Sequence, residues 1–291
     1  MSGPTGPAQP AAPMYADLHL HTHFSDGTYS PEELAGHAAR CGFRAVALTD
    51  HDTMDGCARM GAACAALGVE FLPASELTAQ HEGIEIHVLG YGMDPAHPPL
   101  QEALTRFQAV RVERVHDMVG RLNQLDVPIR AEAVFALANC QAPGRPHVAR
   151  TLVQGGWCSS VDEAFERFLR RGRPAWVPKF KVSAIDAIRL IHEAGGLASL
   201  AHPGLNHADH IIPDLVAAGL DGIECFHTKH STALTQRYLG LADTHGLLVT
   251  GGSDCHGMSK GRPLIGGIKV PYDCVVRLRA ATARRPSAAS A

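Results

Sequence analysis

Tyr15-Ala16-Asp17-Leu18-His19-Leu20-His21 is the stretch that decides how this sequence of 291 residues folds. Apolar and polar residues alternate along it, which is typical of a β-strand with one buried face. Side chains two residues apart on a strand project to the same side, so His19 and His21 should share a face. Paired imidazoles are costly to bury but are good ligands for a divalent metal. The stretch therefore predicts a strand over Tyr15–Leu20 that delivers two histidines to a metal site.

Short apolar segments alternate with capped helices along the rest of the chain. Further strands are predicted at Arg44–Thr49, Glu70–Ala74, Ile84–Tyr91, Leu197–Leu200, Gly222–Phe226 and Leu247–Thr250. Ser30-Pro31-Glu32-Glu33 has the sequence of a helix capping box, and Gly42 stands where that helix should end. This alternation predicts an α/β fold with a parallel sheet, either open or closed into a barrel.

The strand signal disappears between Pro99 and Lys181. Apolar residues at helical spacing predict one long helix over Pro99–Leu125, with shorter helices near 131–138, 145–154 and 161–170. We therefore expect a discontinuous α/β body and an all-helical insertion or lid. The predicted boundaries are 14–98 and 182–275 for the body, 99–181 for the insertion, 1–13 for a disordered tail and 276–291 for a C-terminal tail, whose stretch ATARRPSAASA is also expected to be disordered.

Charge is distributed unevenly along a chain whose formal net charge is only −3. Residues 100–181 hold 13 basic and 8 acidic side chains, whereas the remaining residues hold 13 basic and 21 acidic ones. An acidic body beside a basic segment is consistent with a carboxylate-rich metal site next to an anion-binding lid, and equally with a solvated arginine-rich helix face. Overall charge and the lack of an 18-residue apolar run favour neither long duplex nucleic acid nor a membrane as partner.

The eight cysteines show no CxxC pair and no spacing typical of small disulfide scaffolds. In a chain of this size they predict reduced, mostly buried thiols in a cytoplasmic protein. The first 13 residues have neither the basic start nor the apolar stretch of a signal peptide. The sequence specifies no oligomeric state.

Nearly every predicted strand ends in side chains that can bind a metal. These side chains are His19, His21, Asp50, His51, Asp52, Glu76, His87, His202, Glu224, His227, Asp254 and His256. Strand ends converge in α/β barrels and open parallel sheets, so we expect these groups at one rim. In Asp254-Cys255-His256 the alternation turns Cys255 away from the site, and one carboxylate beside His51 is expected to orient an imidazole. Mixed histidine and carboxylate ligands favour Mn, Zn or Fe.

Six motifs in order along the chain resemble those of the PHP (polymerase and histidinol phosphatase) superfamily of metal-dependent phosphoesterases. They are DLHLHTHFSDG (17–27), TDHD (49–52), PASE (73–76), IHVLGY (86–91), AHPG (201–204) and GSDCH (252–256). GRPHVA (144–149) and RRGRPAWVPK (170–179) resemble more narrowly the nucleoside 3′,5′-bisphosphate phosphatases and the related 5′→3′ exonucleases that trim short RNA.

The resemblance implies a distorted (β/α)7 barrel with three divalent metals, for which Mn is expected first and Zn or Fe next. The implied ligands are His19, His21, Glu76 and Asp254 for one metal, Glu76, His87 and His202 for a second, and Asp26, His51 and His256 for a third. His23 occupies a tolerant position of the motif and is expected to be exposed or to lie behind the ligands.

Further residues are candidates for contacting a substrate. Arg145 and His147 are the expected anion contacts, because a guanidinium fork matches phosphate oxygens. Lys179 and Arg262 are candidates for a second phosphate, and His227 and His230 for substrate contact or proton donation.

The predicted reaction is hydrolysis of a nucleotide phosphate monoester by a metal-activated hydroxide. The expected partner is a small nucleotide, a nucleoside 3′,5′-bisphosphate above all, or a short 5′-phosphorylated RNA trimmed from its 5′ end.

Three alternatives remain open. One is a PHP phosphatase for another small substrate, such as histidinol phosphate or a nucleoside monophosphate, although those enzymes lack an insertion of this type. A second is an amidohydrolase acting on C–N bonds, which typically needs a lysine after a middle strand, whereas the first lysine here is Lys179. A third is a non-catalytic PHP module that binds nucleic acid or supports a polymerase.

Overall fold

The computed structural model describes residues 13–178, 182–207 and 209–285, so nearly all of the predicted tail 1–13 lies outside the described residues. The strands are β1 Tyr15–Asp17, β2 Ala45–Leu48, β3 Glu70–His81, β4 Ile84–Tyr91, β5 Val182–Ser183, β6 Leu197–Leu200, β7 Gly222–His227, β8 Leu248–Gly252 and β9 Val270–Pro271. The helices are α1 Pro31–Arg40, α2 Cys57–Ala66, α3 Pro98–Asn123, α4 Ala131–Ala138, α5 Arg145–Gln154, α6 Val161–Ala164, α7 Ala184–Glu193, α8 Pro203–Asn206, α9 Ile212–Ala217, α10 Thr232–His245 and α11 Tyr272–Thr282.

The main strands form a nearly closed barrel. Hydrogen bonds join them in the order β8-β7-β6-β4-β3-β2-β1, with β9 beside β1 and β5 beside β3. The two ends of the sheet meet just beyond β1 and β8. There the Leu18 N–H donates to Gly251 O at 3.0 Å, and Leu20 forms a parallel bridge with Cys255. The (β/α)7 barrel expected from the family resemblance is therefore confirmed, and α2, α7, α10 and α11 contact its strands.

One strand breaks the parallel arrangement that the sequence predicted. β4 is antiparallel to both β3 and β6, while β1–β2–β3 and β6–β7–β8 are parallel. β3 also extends to His81 instead of ending at Ala74, and it joins β4 through Glu82 and Gly83, whose φ values are 49° and 77°. Two successive left-handed residues make the tight turn of a hairpin, which forces the next strand to run backwards. The purely parallel prediction was wrong because this turn signal was not used.

The helical insertion has an apolar core of its own. Met118 of α3 and Leu152 of α5 are fully buried in it, together with side chains of the π-helical turn Phe165–Leu169, which replaces the second half of the last predicted helix. The start of α3 belongs to the barrel instead, because Leu100 and Leu104 lie in the barrel core. One long helix therefore spans both cores and fixes the insertion against the barrel.

The chain stays ordered past position 276, where a tail was expected to begin. α11 continues to Thr282, and its Val275 and Leu278 are buried against the barrel. The start of the tail was predicted too early, because apolar side chains at helical spacing hold this helix in place.

All eight cysteines are free thiols, and six of them are buried. Across the described ranges, no helix has both the length and the hydropathy needed to cross a bilayer.

Candidate metal centre

Two histidines follow β1, which ends at Asp17 and not at Leu20 as predicted, and both lie inside the barrel. Leu18 and Leu20 are fully buried in apolar clusters, so His19 and His21 occupy the opposite face, with ring centroids 5.1 Å apart. Both imidazoles are completely buried as well. The shared face predicted from the alternating pattern is confirmed.

Glu76 of β3 lies at the centre of a larger cluster and is fully buried. Its Oε2 lies 3.3 Å from Nε2 of both His19 and His21, and 3.0 Å from Nδ1 of His51. The Asp254 Oδ1 atom lies 3.6 Å from Nε2 of His19 and 3.3 Å from Nε2 of His21. Imidazole nitrogens and carboxylate oxygens therefore converge on one small space.

The second oxygen of Glu76 faces another pair of histidines. Its Oε1 lies 2.7 Å from Nδ1 of His87 and 3.0 Å from Nε2 of His202. His87 comes from the antiparallel strand β4, opposite Thr78 of β3, and His202 follows β6. A carboxylate whose two oxygens face different ligand groups is suited to bridge two cations.

A third group adjoins the first. His256 Nε2 lies 3.1 Å from Asp26 Oδ1, and His51 Nε2 lies 3.9 Å from Asp26 Oδ2. The ring of His256 also stacks on that of His21, with centroids 4.1 Å apart. His51 thus faces this group through Nε2 and Glu76 through Nδ1. The nine side chains that the family resemblance implies as ligands therefore lie in one cluster.

The donor atoms fit divalent metals. In the part of the chain that the structure describes, Nε2 of His19, Nε2 of His21 and Oε2 of Glu76 are buried without a hydrogen-bond partner. Each unsatisfied buried group costs about 1–3 kcal/mol. Two ligands each about 2.0–2.1 Å from a tetrahedral metal are about 3.3 Å apart. This spacing matches the 3.3 Å between Glu76 and each imidazole, so a cation would satisfy all three atoms together.

Opposite charges keep the carboxylates of the cluster ionised. Burial alone would raise the pKa of Glu76, but His51 and His87 outweigh it and hold that pKa well below its ordinary value. Burial likewise opposes the charged form of His256, yet Asp26 raises the pKa of this imidazole to about 9. Ionised carboxylates are the form that binds metal.

Glu224 of β7 holds two of these histidines from behind. It is fully buried, its Oε1 lies 3.0 Å from His19 Nδ1, and its Oε2 accepts the backbone N–H of His202 at 2.7 Å. The first contact places the proton of His19 on Nδ1 and leaves Nε2 to face the cluster. The sequence placed Glu224 at a strand end but assigned it no partner.

The carboxylates on either side of His51 anchor the surrounding chain. Asp50 accepts the Thr22 backbone N–H at 2.7 Å and so fixes the loop after β1. Asp52 accepts the Thr78 N–H at 2.9 Å and lies 2.6 Å from the Arg111 guanidinium of α3. The predicted task of orienting an imidazole was therefore wrong for this pair. Glu224 performs it, and Asp50 and Asp52 hold a loop and the insertion in place.

The other predicted histidines differ in their surroundings. His227 is buried, accepts a backbone N–H through Nδ1 at 3.2 Å, and directs Nε2 towards Asp254 Oδ2 at 3.6 Å. His230 lies 3.0 Å from the carbonyl oxygen of Cys225 through Nδ1 and accepts a backbone N–H through Nε2, so main-chain groups engage both of its ring nitrogens. His23 is half-buried beside Phe24.

The insertion forms a cavity of about 160 Å³ that reaches His51 and His87 of the cluster. Arg145 lines it, together with Arg111 and Arg114 from one face of α3. Burial, followed by repulsion from the other two guanidinium groups, lowers the pKa of Arg114 to about 9. Asp26 and Glu85 also line the cavity, and Asp52 pairs with Arg111, so Arg114 and Arg145 are the guanidinium groups that make it a candidate site for an anion. The sequence identified Arg145 only, although the spacing of Arg111 and Arg114 places them on the same helix face.

The remaining predicted substrate contacts are less central. His147 is buried and accepts the Gly144 N–H at 3.0 Å through Nδ1, which makes it part of the cap of α5. Arg262 is exposed and follows the 3₁₀ turn Gly257–Lys260. Lys179 lies outside the described residues.

Comparison with known proteins agrees with the geometry. A family model described as the PHP domain matches residues 17–140. The chain is 34% identical over 253 residues to a 3′,5′-nucleoside bisphosphate phosphatase of Chromobacterium violaceum, covering 84% of this chain and 88% of that protein. It is also 34% identical over 248 residues to a 5′-3′ exoribonuclease of Haemophilus influenzae, covering 82% and 89%. A phosphoribosyl 1,2-cyclic phosphate 1,2-diphosphodiesterase of Eggerthella lenta is 34% identical over 268 residues, covering 89% and 100%.

Two solved structures share the fold. A protein of Bifidobacterium adolescentis assigned as a metal-dependent phosphoesterase superposes with a TM-score of 0.86 at 33% identity, covering 93% of this chain and 96% of that one. An amidohydrolase of Chromobacterium violaceum, solved with bound sulfate and no metal, gives 0.80 at 32% identity, with coverage of 91% and 96%. The superfamily and the phosphoesterase class expected from the motifs are thereby confirmed. With its barrel, its histidine–carboxylate cluster and these relatives, the chain belongs to the PHP family.

Proposed function

We propose that this chain hydrolyses nucleotides that carry two phosphoryl groups. Its substrates are nucleoside 3′,5′-bisphosphates, from which it removes the 3′-phosphoryl group, and short 5′-phosphorylated RNA, which it trims from the 5′ end. The arginine-lined cavity beside the histidine–carboxylate cluster carries this proposal, because it supplies a second anion site next to the reacting one. Two relatives named as a nucleoside bisphosphate phosphatase and a 5′-3′ exoribonuclease support it.

Three divalent metals, with Mn expected first, complete the proposed site. His19, His21, Glu76 and Asp254 would hold one, Glu76, His87 and His202 a second, and Asp26, His51 and His256 a third. Such ions act as Lewis acids towards phosphoryl oxygens and lower the pKa of bound water. A cytoplasmic location stays a prediction from the cysteine pattern.

The residues of the chain position the substrate and the ligands. Arg145 and Arg114 hold the 5′-phosphoryl group in the cavity, and Asp52 keeps the Arg111 guanidinium in place beside them. This remote contact orients the 3′-phosphoryl group towards the cluster. His227 carries its proton on Nε2, because Nδ1 accepts a backbone N–H, and it therefore steadies the Asp254 carboxylate.

A phosphate-release screen with Mn²⁺ tests the proposed function. Adenosine 3′,5′-bisphosphate, AMP, histidinol phosphate and 5′-phosphorylated di- to pentanucleotides are compared, and the oligonucleotides are followed by release of mononucleotide. We expect turnover of the bisphosphate and the oligonucleotides, which Arg145→Met weakens. Arg130→Met, at an exposed arginine of the same insertion, serves as the matched control. Exclusive turnover of histidinol phosphate or AMP would overturn the proposal.

A further inference from the structure

We propose that a cluster on the outer face of the barrel, here called the outer cluster, binds one zinc ion apart from the metal centre. The outer cluster combines two imidazoles and two carboxylates from two segments that are far apart in the sequence, namely His81, Glu82, His210 and Asp214. The proposed reaction uses none of these residues, so the inference stands independently of the proposed function.

The ligand atoms of the outer cluster lie close enough to share one metal. His81 Nε2 is 3.3 Å from Asp214 Oδ2, and one ligand atom from each of His81, Glu82 and Asp214 lies within 4.8 Å of the other two. Two ligands of a tetrahedral zinc are about 3.3 Å apart. His210 Nε2 lies 3.9 Å from Glu82 Oε2, and the His210 side chain is 63% exposed, so its rotation can supply the fourth ligand.

The backbone holds these side chains at fixed places. His81 ends β3, and Glu82 follows it in the tight turn to β4, with a φ of 49°. Asp214 lies in the first turn of α9, which is anchored because its Leu215 is fully buried in the barrel core. His210 belongs to the 3₁₀ turn that leads into α9. A zinc ion here would therefore tie the β3–β4 turn to α9.

An ion pair between His81 and Asp214 does not account for the whole outer cluster. Such a pair needs one imidazole and one carboxylate, whereas Glu82 brings a second negative charge to the same place. Like charges this close repel each other. Among the described residues, neither Glu82 nor Asp214 forms an ion pair with a lysine or an arginine. A divalent cation would remove this repulsion and bind both carboxylates.

The donor set favours zinc over the other common dications. Calcium and magnesium prefer oxygen ligands alone, whereas imidazole nitrogen suits zinc. Structural zinc sites hold four protein ligands in a tetrahedron and leave no position open. The two imidazoles and two carboxylates of the outer cluster supply that number. We therefore assign a structural role to the ion.

The outer cluster is separate from the metal centre. Glu76 and His81 are five residues apart on β3, so their side chains project to opposite faces of the sheet. At the rise of a β-strand, this separation places their Cα atoms about 17 Å apart. The strands β3 and β4 carry Glu76 and His87 of the metal centre. Zinc at the turn would thus steady the hairpin that supplies two ligands, without contact to a substrate.

The test is a Zn²⁺ titration of the metal-stripped, full-length protein by calorimetry, with bound zinc counted by native mass spectrometry. Asp214→Ala and His81→Gln each remove one ligand of the outer cluster. Asp243→Ala and His116→Gln, at exposed positions of α10 and α3, are the matched controls. We expect the two outer-cluster variants to bind one zinc ion per chain fewer than the wild type and the controls. The Asp214 side chain is 61% exposed, so Asp214→Ala keeps the test decisive if His81→Gln folds poorly.

Hydrogen exchange gives a second measurement that is local to the site. A ligand that binds only the closed state slows local opening in proportion to its occupancy. With free zinc at about ten times its dissociation constant, exchange of the backbone N–H groups at 81–84 should slow about tenfold in the wild type. The same zinc concentration should leave this exchange unchanged in Asp214→Ala, because the ion no longer ties the turn to α9.

The outcomes separate this inference from the proposed function. Equal zinc stoichiometry in the wild type and Asp214→Ala, or unchanged exchange at the turn, overturns the outer cluster as a zinc site. An equivalent that binds more weakly than about 100 μM is adventitious and also overturns it. A wild type that binds this zinc but hydrolyses no phosphate ester overturns the proposed function and leaves the inference intact.

Discussion

Replacing Glu224 by Gln isolates the contribution of a buried carboxylate that touches no metal itself. Its two oxygens serve two different donors, His19 Nδ1 at 3.0 Å and the His202 backbone N–H at 2.7 Å. Gln has the same shape, but only one of its terminal atoms accepts, so one donor must face an NH₂ group. Losing a hydrogen bond to a charged acceptor costs about 1.5–3 kcal/mol. We therefore expect Glu224→Gln to weaken metal binding about 10- to 150-fold.

The assay is a Mn²⁺ titration of metal-stripped protein in competition with a chelator. Asp243→Asn, at an exposed carboxylate of α10, is the control and should bind metal like the wild type. Circular dichroism of the metal-free variants shows whether each remains folded. A Glu224→Gln protein that is folded and binds Mn²⁺ within about threefold of the wild type would refute this role of Glu224, because the predicted loss starts near tenfold.

Five further substitutions or conditions test other parts of the molecule. Arg145→Met should raise KM for adenosine 3′,5′-bisphosphate about 10- to 150-fold, since lost guanidinium–phosphate bonds cost about 1.5–3 kcal/mol, and should change KM for 3′-AMP little. Equal losses on both substrates would contradict the assigned contact. His21→Ala and Asp254→Ala should each abolish turnover, and near-full activity in either variant, with metal content checked by mass spectrometry, would count against the ligand set. Arg114→Met should lower the phosphate affinity of the metal-free protein, measured by calorimetry, because the cavity then loses one of its three guanidinium groups. An unchanged affinity rules this arginine out as an anion contact. Ser30→Ala removes the N-cap side chain that accepts the Glu33 N–H. It should lower the free energy of unfolding in urea by about 1 kcal/mol without changing kcat. An unchanged midpoint of the urea unfolding curve would contradict this role of Ser30.

Much of the fold could be predicted because each element carries a local signal. The capping box of Ser30 and Glu33 is present as expected, and α4 and α5 have the predicted bounds. The direction of β4 could not be read from Ile84–Tyr91 itself, because a buried strand has the same apolar pattern whichever way it runs. Only the Glu82-Gly83 turn specifies that direction.

The sequence predicted the residues of the metal cluster but, among the arginines of the cavity, only Arg145. The alternating pattern was enough to group His19 and His21 on one face, although β1 itself ends at Asp17. Arg111 and Arg114 lie on a helix where an arginine-rich face is most often solvated. Tertiary contacts remove both from solvent: Arg111 pairs with Asp52 of the barrel, and Arg114 donates from Nε to the carbonyl oxygen of Val177. No spacing rule connects positions so far apart in the chain.

Dividing the site between an acidic barrel and a basic insertion has an electrostatic reason. The implied ligands include the three carboxylates Asp26, Glu76 and Asp254, whose negative charges oppose the binding of phosphate when no metal is bound. Three divalent cations would more than offset these charges, so attraction for the scissile phosphoryl group depends on metal. The guanidinium groups of the arginine cavity keep their charge in either state, because arginine stays protonated at neutral pH with or without metal. Removing metal should therefore abolish recognition of the 3′-phosphoryl group while the 5′-phosphoryl group still binds, which is why a substrate with two such groups suits this chain.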